Sequence, residues 1–269
     1  MRDLRGRTAL VTGASRGVGA AIARALAAEG MDLVLAARTR GDLEAVAAGI
    51  RGSVRVVAAD LADPAALREL AAVTPLDVLV NNAGTIEVGE FADLAPEAIE
   101  AALRIDLVAP MLLTRLALPA MLAQGRGHIV NMSSLAGRVG LPGIETYCAA
   151  KAGLANFTAA LRAAYRARGV SASAILPGYV HGAGMYQRVQ ERTHVPTPLA
   201  QGSSSPEAVA RAVVRAMRLD LPEVIVSPRP LRPLLALQAL FPARIERLVP
   251  SLGGDWYQRA GRVLTKAEK

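Results

Sequence analysis

Two hydrophobic periods alternate along most of the chain. Short, mostly apolar strand-like runs occur at Thr8–Thr12, Leu33–Ala37, Val54–Ala58, Val78–Val80, His128–Met132, Ser171–Leu176 and Val224–Val226. Between them lie Ala-, Leu- and Arg-rich segments, such as Val18–Ala28 and Pro64–Val73, whose apolar positions recur at helical spacing. The longest predicted helix runs from about Pro96 to Leu122, with Pro119 bending or ending it near its C-terminus, because proline offers no N–H to the helix. Strands without apolar–polar alternation are covered on both faces, which predicts a parallel sheet. The expected fold class is therefore α/β, a doubly wound parallel sheet of about seven strands with helices on both faces and a C-terminal helical tail. Residues 1–227 are expected to form one domain, with a Gly-, Pro- and Ser-rich substrate loop at 178–205, and residues 228–269 an amphipathic helical extension.

Composition narrows the setting. With 269 residues, 52% of them hydrophobic and 20% charged, the chain suits one well-packed domain and is not disordered. The single cysteine, Cys148, excludes an intrachain disulfide framework and a cysteine zinc site, and suits a reducing, cytoplasmic compartment. Polar Met1 to Arg7 leads directly into a strand, so no secretory leader is expected. No stretch offers the ~18 uncharged apolar residues of a spanning helix. The net charge of +8 is uneven: from Pro228 onward eight Lys/Arg face three Asp/Glu, giving +5 and leaving +3 for the rest. Nucleic-acid binding is not expected, because aromatics are only 3% and no basic stripe interleaves with them. His128, His181 and His194 lack metal-ligand spacing, so no metal site is expected; His181 is either a substrate contact or an ordinary loop histidine.

On a doubly wound sheet, ligands sit at the carboxyl ends of the strands. The chemically capable residues follow strands here. After the first comes Thr12-Gly-Ala-Ser-Arg-Gly-Val-Gly19, a glycine-rich strand-to-helix turn. Gly13, Gly17 and Gly19 would let the backbone approach a pyrophosphate, with Ser15, Arg16 and Val18 around it and the helix N–H groups behind. The spacing is G-x-x-x-G-x-G, and such a turn also occurs without any ligand. The second strand ends at Ala37-Arg38 where an NAD site would carry a carboxylate, so Arg16 and Arg38 suit the 2′-phosphate of NADP(H); the plain alternative is two solvated surface arginines. Asp60, followed by Leu61, is placed either to accept from the adenine amino group or to cap the helix starting near Pro64. Asn81-Asn82-Ala83-Gly84 follows the fourth strand, Ser133 and Ser134 the fifth, and Pro177-Gly178 and Val180 the sixth.

Tyr147 and Lys151 are four residues apart in a helical run and so share one face. A tyrosine with its usual pKa of about 10 is a poor proton carrier at neutral pH. A neighbouring ammonium favours the phenolate, and Ser134 can hold a substrate oxygen toward the phenol. Together with Thr12–Gly19, Asp60, Asn81–Gly84 and Pro177-Gly178, in this order, these residues resemble the short-chain dehydrogenase/reductase family from about Arg5 to Val226. The resemblance implies a Rossmann-type domain in which Asn81–Gly84 steadies the sheet and lines the adenosine pocket. It implies that Lys151 binds the nicotinamide ribose and tunes Tyr147, while hydride passes between nicotinamide and substrate. Two positions depart from the family. Asp106 stands where asparagine usually helps hold a relay water, and either takes over that catalytic part or only bonds local backbone. Gly182 replaces the usual threonine beyond Pro177-Gly178.

The same resemblance makes the segment after Gly178 the substrate cover, with Met185, Tyr186 and Val189 as candidate pocket walls and Leu135, Val139 and Leu141 as further contacts. Their apolar character points to a lipophilic ketone or alcohol. In the tail, Leu234, Leu237, Phe241, Ile245 and Leu248 recur at helical spacing, flanked by Arg229, Arg232, Arg244 and Arg247, and Pro242 is placed to start a second helix. That stripe is expected to pack on its own domain or on a second subunit of a homo-oligomer; the alternative is peripheral contact with an anionic membrane. The expected activity is NADP(H)-dependent carbonyl–alcohol interconversion. The competing readings are a non-catalytic NADP(H)-sensing regulator, and a lyase or epimerase on the same scaffold.

Overall fold

The computed structural model describes residues 3–73, 75–182, 184–196, 202–247 and 255–267. Seven strands form the sheet: β1 (Thr8–Thr12), β2 (Asp32–Ala37), β3 (Val54–Ala58), β4 (Val78–Asn81), β5 (Gly127–Met132), β6 (Val170–Pro177) and β7 (Glu223–Val226). Their order is β3-β2-β1-β4-β5-β6-β7 and every pairing is parallel. The expected strands were each placed within a residue of these bounds, because a mostly apolar run bracketed by polar turns leaves little latitude.

Eleven α-helices accompany them among the described residues: α1 (Gly17–Ala28), α2 (Arg40–Ala48), α3 (Pro64–Ala71), α4 (Pro96–Leu103), α5 (Ala109–Ala123), α6 (Glu145–Tyr165), α7 (Met185–Thr193), α8 (Pro206–Leu219), α9 (Arg232–Leu240), α10 (Pro242–Glu246) and α11 (Trp256–Ala267). Residues alternate between the two faces of each strand, and this divides the core. Ala9, Val11, Val78 and Val80 pack with Ile22 and Leu26 of α1 and Val213 and Met217 of α8. Leu10 and Leu79 pack on the other face with Leu67 and Leu70 of α3 and Leu113 and Met121 of α5.

The long fourth helical region differs from expectation. It is not interrupted at Pro119, which lies inside α5; the irregularity is a π-helical turn at Arg104–Val108. That turn buries Asp106, and such turns often mark functional positions. Within the run Pro96–Ala123 an 18-residue window has a mean hydropathy of 1.6, long and apolar enough to cross a membrane, although the run is not free of charge. Asp106 is buried in an ion pair, while Leu113, Ala117 and Met121 face the sheet. It is a core helix of this domain.

The tail also divides differently. Pro242 starts α10 as expected. Leu234 and Ile245 are half-buried, but Leu237 and Phe241 remain 47% and 46% exposed, so the protomer itself does not cover the stripe; Leu248 lies outside the described residues. The tail residues that do enter the core belong to α11: Trp256 and Ala260 are fully buried and Tyr257 nearly so.

Candidate active site

β1 and β4 are neighbours although the chain runs from β1 outward through β2 and β3 before returning, so their carboxyl ends frame the crevice where ligands bind on such sheets. A cavity of about 520 Å³ lies there. Its floor is the turn from β1 into α1. Gly13 has a φ of +65°, and a methyl group at Gly19 would collide with the Gly13 carbonyl oxygen. Asn82 braces the turn by donating from Nδ2 to the carbonyls of Thr12 (2.9 Å) and Gly13 (3.2 Å), while the Asn82 and Ala83 amides donate to Thr12 Oγ1. Arg16 precedes α1 and makes no side-chain cap, so the positive end of α1 opens on the cavity.

The nucleotide-side residues named from the sequence, from Gly13 through Val180, line this cavity, except Asn81 and Tyr147. Arg16 and Arg38 both reach it and both are exposed. Asp60 lines it too, and the cap of α3 is Asp63, which accepts from the Ala65 amide at 2.8 Å; the helix-cap alternative for Asp60 is thus set aside. Asn81 is buried and only steadies the sheet, donating to Asn131 Oδ1 (2.8 Å) and Thr114 Oγ1 (3.2 Å).

Arg188 also faces the cavity, from α7. Burial and the nearby Arg16 guanidinium both disfavour its charged form, which places two arginines close together beside the glycine turn. No sequence signal pointed to it, since it sits some 170 residues from Arg16 in a segment without a motif.

The catalytic candidates meet around Lys151, which lines the cavity. Lys151, on α6, is buried and its ammonium lies 5.4 Å from the centre of the Tyr147 ring. It donates to Asp106 Oδ1 at 2.8 Å and to the Met132 carbonyl at 3.2 Å. Ser133 fixes the helix from below, donating to the Lys151 carbonyl at 2.7 Å. Ser134 opens the turn after β5 and accepts from the Ala136 amide at 3.1 Å. Burial raises the Tyr147 pKa above the ordinary phenol value; Lys151 acts against this, Asp106 adds to it, and the Ser134 hydroxyl lowers it. Burial works to lower the Lys151 pKa, yet Asp106 and Tyr147 raise it beyond the ordinary lysine value, so the ammonium is held charged. Asp106 also accepts from the Thr85 amide at 3.1 Å, so it both bonds backbone and engages Lys151.

On the substrate side, Met185 and Tyr186 line the cavity, and Leu141 and Val189 join Tyr186 and Tyr147 in an apolar cluster. Leu135 lies against Gly178, and Val139 is half-buried outside that cluster. His181 is an exposed loop histidine bonded to Ser203 at 3.0 Å. His128 is buried against Ser173 Oγ at 2.8 Å, and no metal-binding group of three ligands occurs among the described residues.

Residues 7–194 match the family model described as short chain dehydrogenase. The chain is 38% identical to ketoacyl reductase HetN of Nostoc sp., over 92% of this chain and 90% of that one. It is 33% identical to the 3-oxoacyl-[acyl-carrier-protein] reductase FabG of Rickettsia conorii, over 79% of this chain and 90% of that protein. Among solved structures, a Beutenbergia cavernae protein with NADP bound at low occupancy is 34% identical, with a TM-score of 0.71 over 83% of this chain and 95% of that one.

Proposed function

This chain belongs to the short-chain dehydrogenase family of oxidoreductases, and from that premise we propose that it interconverts a lipophilic ketone and its secondary alcohol with NADP(H). The observation that carries the reading is the meeting of Tyr147 and Ser134 with Lys151, which lines a glycine-floored cavity that Arg16 and Arg38 also line. The cavity fits a dinucleotide: the turn before α1 leaves room only for glycine at position 19, and the uncapped helix end suits a pyrophosphate. Arg16 and Arg38 would hold a 2′-phosphate, Asp60 the adenine amino group, and Lys151 the nicotinamide ribose. Bound there, the nicotinamide supplies or accepts the hydride.

The protein's own part is to place and move one proton. Ser134 donates to the substrate oxygen and holds it at the Tyr147 hydroxyl. In reduction Tyr147 gives its proton to that oxygen as the alcohol forms; in oxidation its phenolate takes the proton back. Lys151 stabilises the phenolate, and Asp106 keeps Lys151 charged. Two relatives are named as ketoacyl and 3-oxoacyl reductases, which supports a carbonyl substrate here. The single cysteine suits a cytoplasmic setting, and the exposed stripe on α9 and α10 suits assembly with further copies. A purely sensing role would not require Tyr147, Lys151 and Ser134 together.

The test is NADPH consumption with a panel of lipophilic ketones, comparing the parent with Tyr147→Phe. The variant should lose turnover by at least about a thousandfold while its NADPH dissociation constant stays within about twofold of the parent's. Near-parental turnover in the variant would overturn the assignment.

A further inference from the structure

The tail helix α11 reaches the catalytic centre, and nothing in the family motifs accounts for it. Trp256 and Ala260 are fully buried and Tyr257 is 7% exposed. Their cluster includes Tyr186 and Val189 of α7 and has Ile86, Leu141 and the catalytic Tyr147 packed against it. The helix is seated by close backbone approach. A methyl group at Gly143 would fall 2.7 Å from the Gln258 nitrogen, and one at Gly261 would fall 2.9 Å from the Gly89 Cα. Trp256 adds a hydrogen bond from Nε1 to the Val195 carbonyl at 3.3 Å, which ties α11 to the chain just beyond α7.

Four aromatic rings thereby meet beside Tyr147. The Tyr179 and Tyr186 centroids are 4.4 Å apart, those of Tyr186 and Trp256 4.7 Å, and those of Trp256 and Tyr257 4.9 Å. Tyr186 belongs both to this cluster and to the lining of the nucleotide cavity, so the cluster borders that cavity. A substrate whose oxygen lies at Tyr147 would meet this cluster beside that phenol. Burial, then the neighbouring Tyr179, Tyr147 and Tyr186, hold the Tyr257 hydroxyl protonated, so the wall presents no charge there. The Tyr179 hydroxyl is buried and has no hydrogen-bond partner among the described residues, a cost that a ligand oxygen would remove.

We propose that α11 is the outer wall of the substrate pocket, and that Tyr257 and Tyr179 select an uncharged, rigid cyclic ketone carrying a second oxygen. The proposal rests on the ketone-reductase reading and names its substrate class. Aromatic side chains have few torsions to freeze and broad faces to offer, so they favour a rigid ring system over a floppy chain of equal area. Tyr257 makes the face contact, and Tyr179 donates to the second oxygen.

The test compares three probes with NADPH: ethyl acetoacetate, 1-decalone and decalin-1,5-dione. Tyr257→Leu, which keeps an apolar side chain in the wall, should raise the KM for 1-decalone at least tenfold while leaving that for ethyl acetoacetate within twofold. Tyr179→Phe should remove the parent's preference for the dione over 1-decalone. Equal scaling of all three probes in both variants would overturn the proposal, since a merely structural effect does not distinguish them. Trp256 is the chain's single tryptophan, which gives a readout independent of turnover. Decalin-1,5-dione should change its emission saturably in NADP⁺-loaded parent, with a midpoint at least fivefold higher in Tyr257→Leu. Unchanged Trp256 emission up to the solubility limit would overturn the proposal while leaving the nucleotide and Tyr147 assignments to their own tests.

Discussion

Asp106 and Lys151 form an ion pair 2.8 Å long with both side chains shielded from solvent. Removing the charge of one partner changes the electrostatics of the other. The carboxylate holds the Lys151 ammonium charged, and it also opposes ionisation of Tyr147. Asp106→Asn keeps the shape and the contact to Thr85 while deleting the charge. The Tyr147 pKa should therefore fall. Ketone reduction needs the protonated phenol, so its activity should decline at a lower pH in the variant than in the parent. Alcohol oxidation needs the phenolate, so its rise with pH should begin earlier, and the rate at pH 7 should increase. Paired pH profiles of kcat/KM in the two directions check this; an upward shift in either profile would show that Asp106 does not act on Tyr147 through charge.

Arg16 and Arg38 come from different turns, after β1 and after β2, and line one cavity where no carboxylate ends the second strand. Each charge-assisted hydrogen bond to a phosphate is worth about 1.5–3 kcal/mol, which is roughly a factor of ten to a hundred in affinity. Arg38→Ala should weaken NADPH binding by about that factor, and Arg16→Ala with it should weaken binding further. NADH has no 2′-phosphate and should change by less than about threefold. Titrating both nucleotides into parent and variants decides the matter. Equal affinity of the parent for NADH and NADPH would sink the two-arginine account.

The sheet and the motif-bearing turns were legible because each rests on local chemistry. A strand-like run bounded by turns places β1 or β3 to the residue, and Tyr147 four before Lys151 needs only one helix turn to share a face. What stayed hidden depends on distant contacts. The π-helical turn at Arg104–Val108 has the same composition as the helices around it, and what it does is to bury Asp106 toward Lys151 from another helix. Arg188 meets Arg16 only after α7 folds over the cavity. In the tail, the obvious leucine stripe drew attention away from Trp256 and Tyr257, whose burial depends on small residues at Gly143 and Gly89 that carry no helical signal.

His128 ties β5 to β6 as a neutral ring. Burial is the main reason its pKa is lowered to about 3, against about 6.5 when unfolded. The unfolded chain therefore binds the extra proton between these values. Stability from this residue is complete above pH 6.5 and is lost as pH falls toward 3, at up to about 1.4 kcal/mol per pH unit. The buried or paired carboxylates Asp77 and Asp220 are lowered below the usual 3.8, so their stabilisation is lost only in more acidic solution. Urea unfolding at pH 7, 6 and 5 should show the decline already between pH 6 and 5. His128→Gln cannot take up the proton and should flatten that part of the curve; an unaltered slope would mean that His128 is not buried neutral.

The stripe on α9 and α10 separates two fates of the tail. Leu237, Leu240 and Phe241 are 47%, 70% and 46% exposed, with Arg232 and Arg244 beside them, so the protomer leaves an apolar face partly open. α11, by contrast, is seated in the core. Changing Leu237, Leu240 and Phe241 together to serine should therefore spare the catalytic centre, because none of them lines the cavity or joins the cluster around Tyr147. If the stripe joins two copies, as we expect, the triple variant should dissociate to a smaller species in sedimentation velocity at equal concentration, with NADPH binding unchanged. If it meets an anionic membrane instead, the oligomer should persist while co-sedimentation with phosphatidylglycerol vesicles is lost, an attraction that salt weakens. A variant with the parent's oligomeric state would refute the subunit contact whatever the vesicles show.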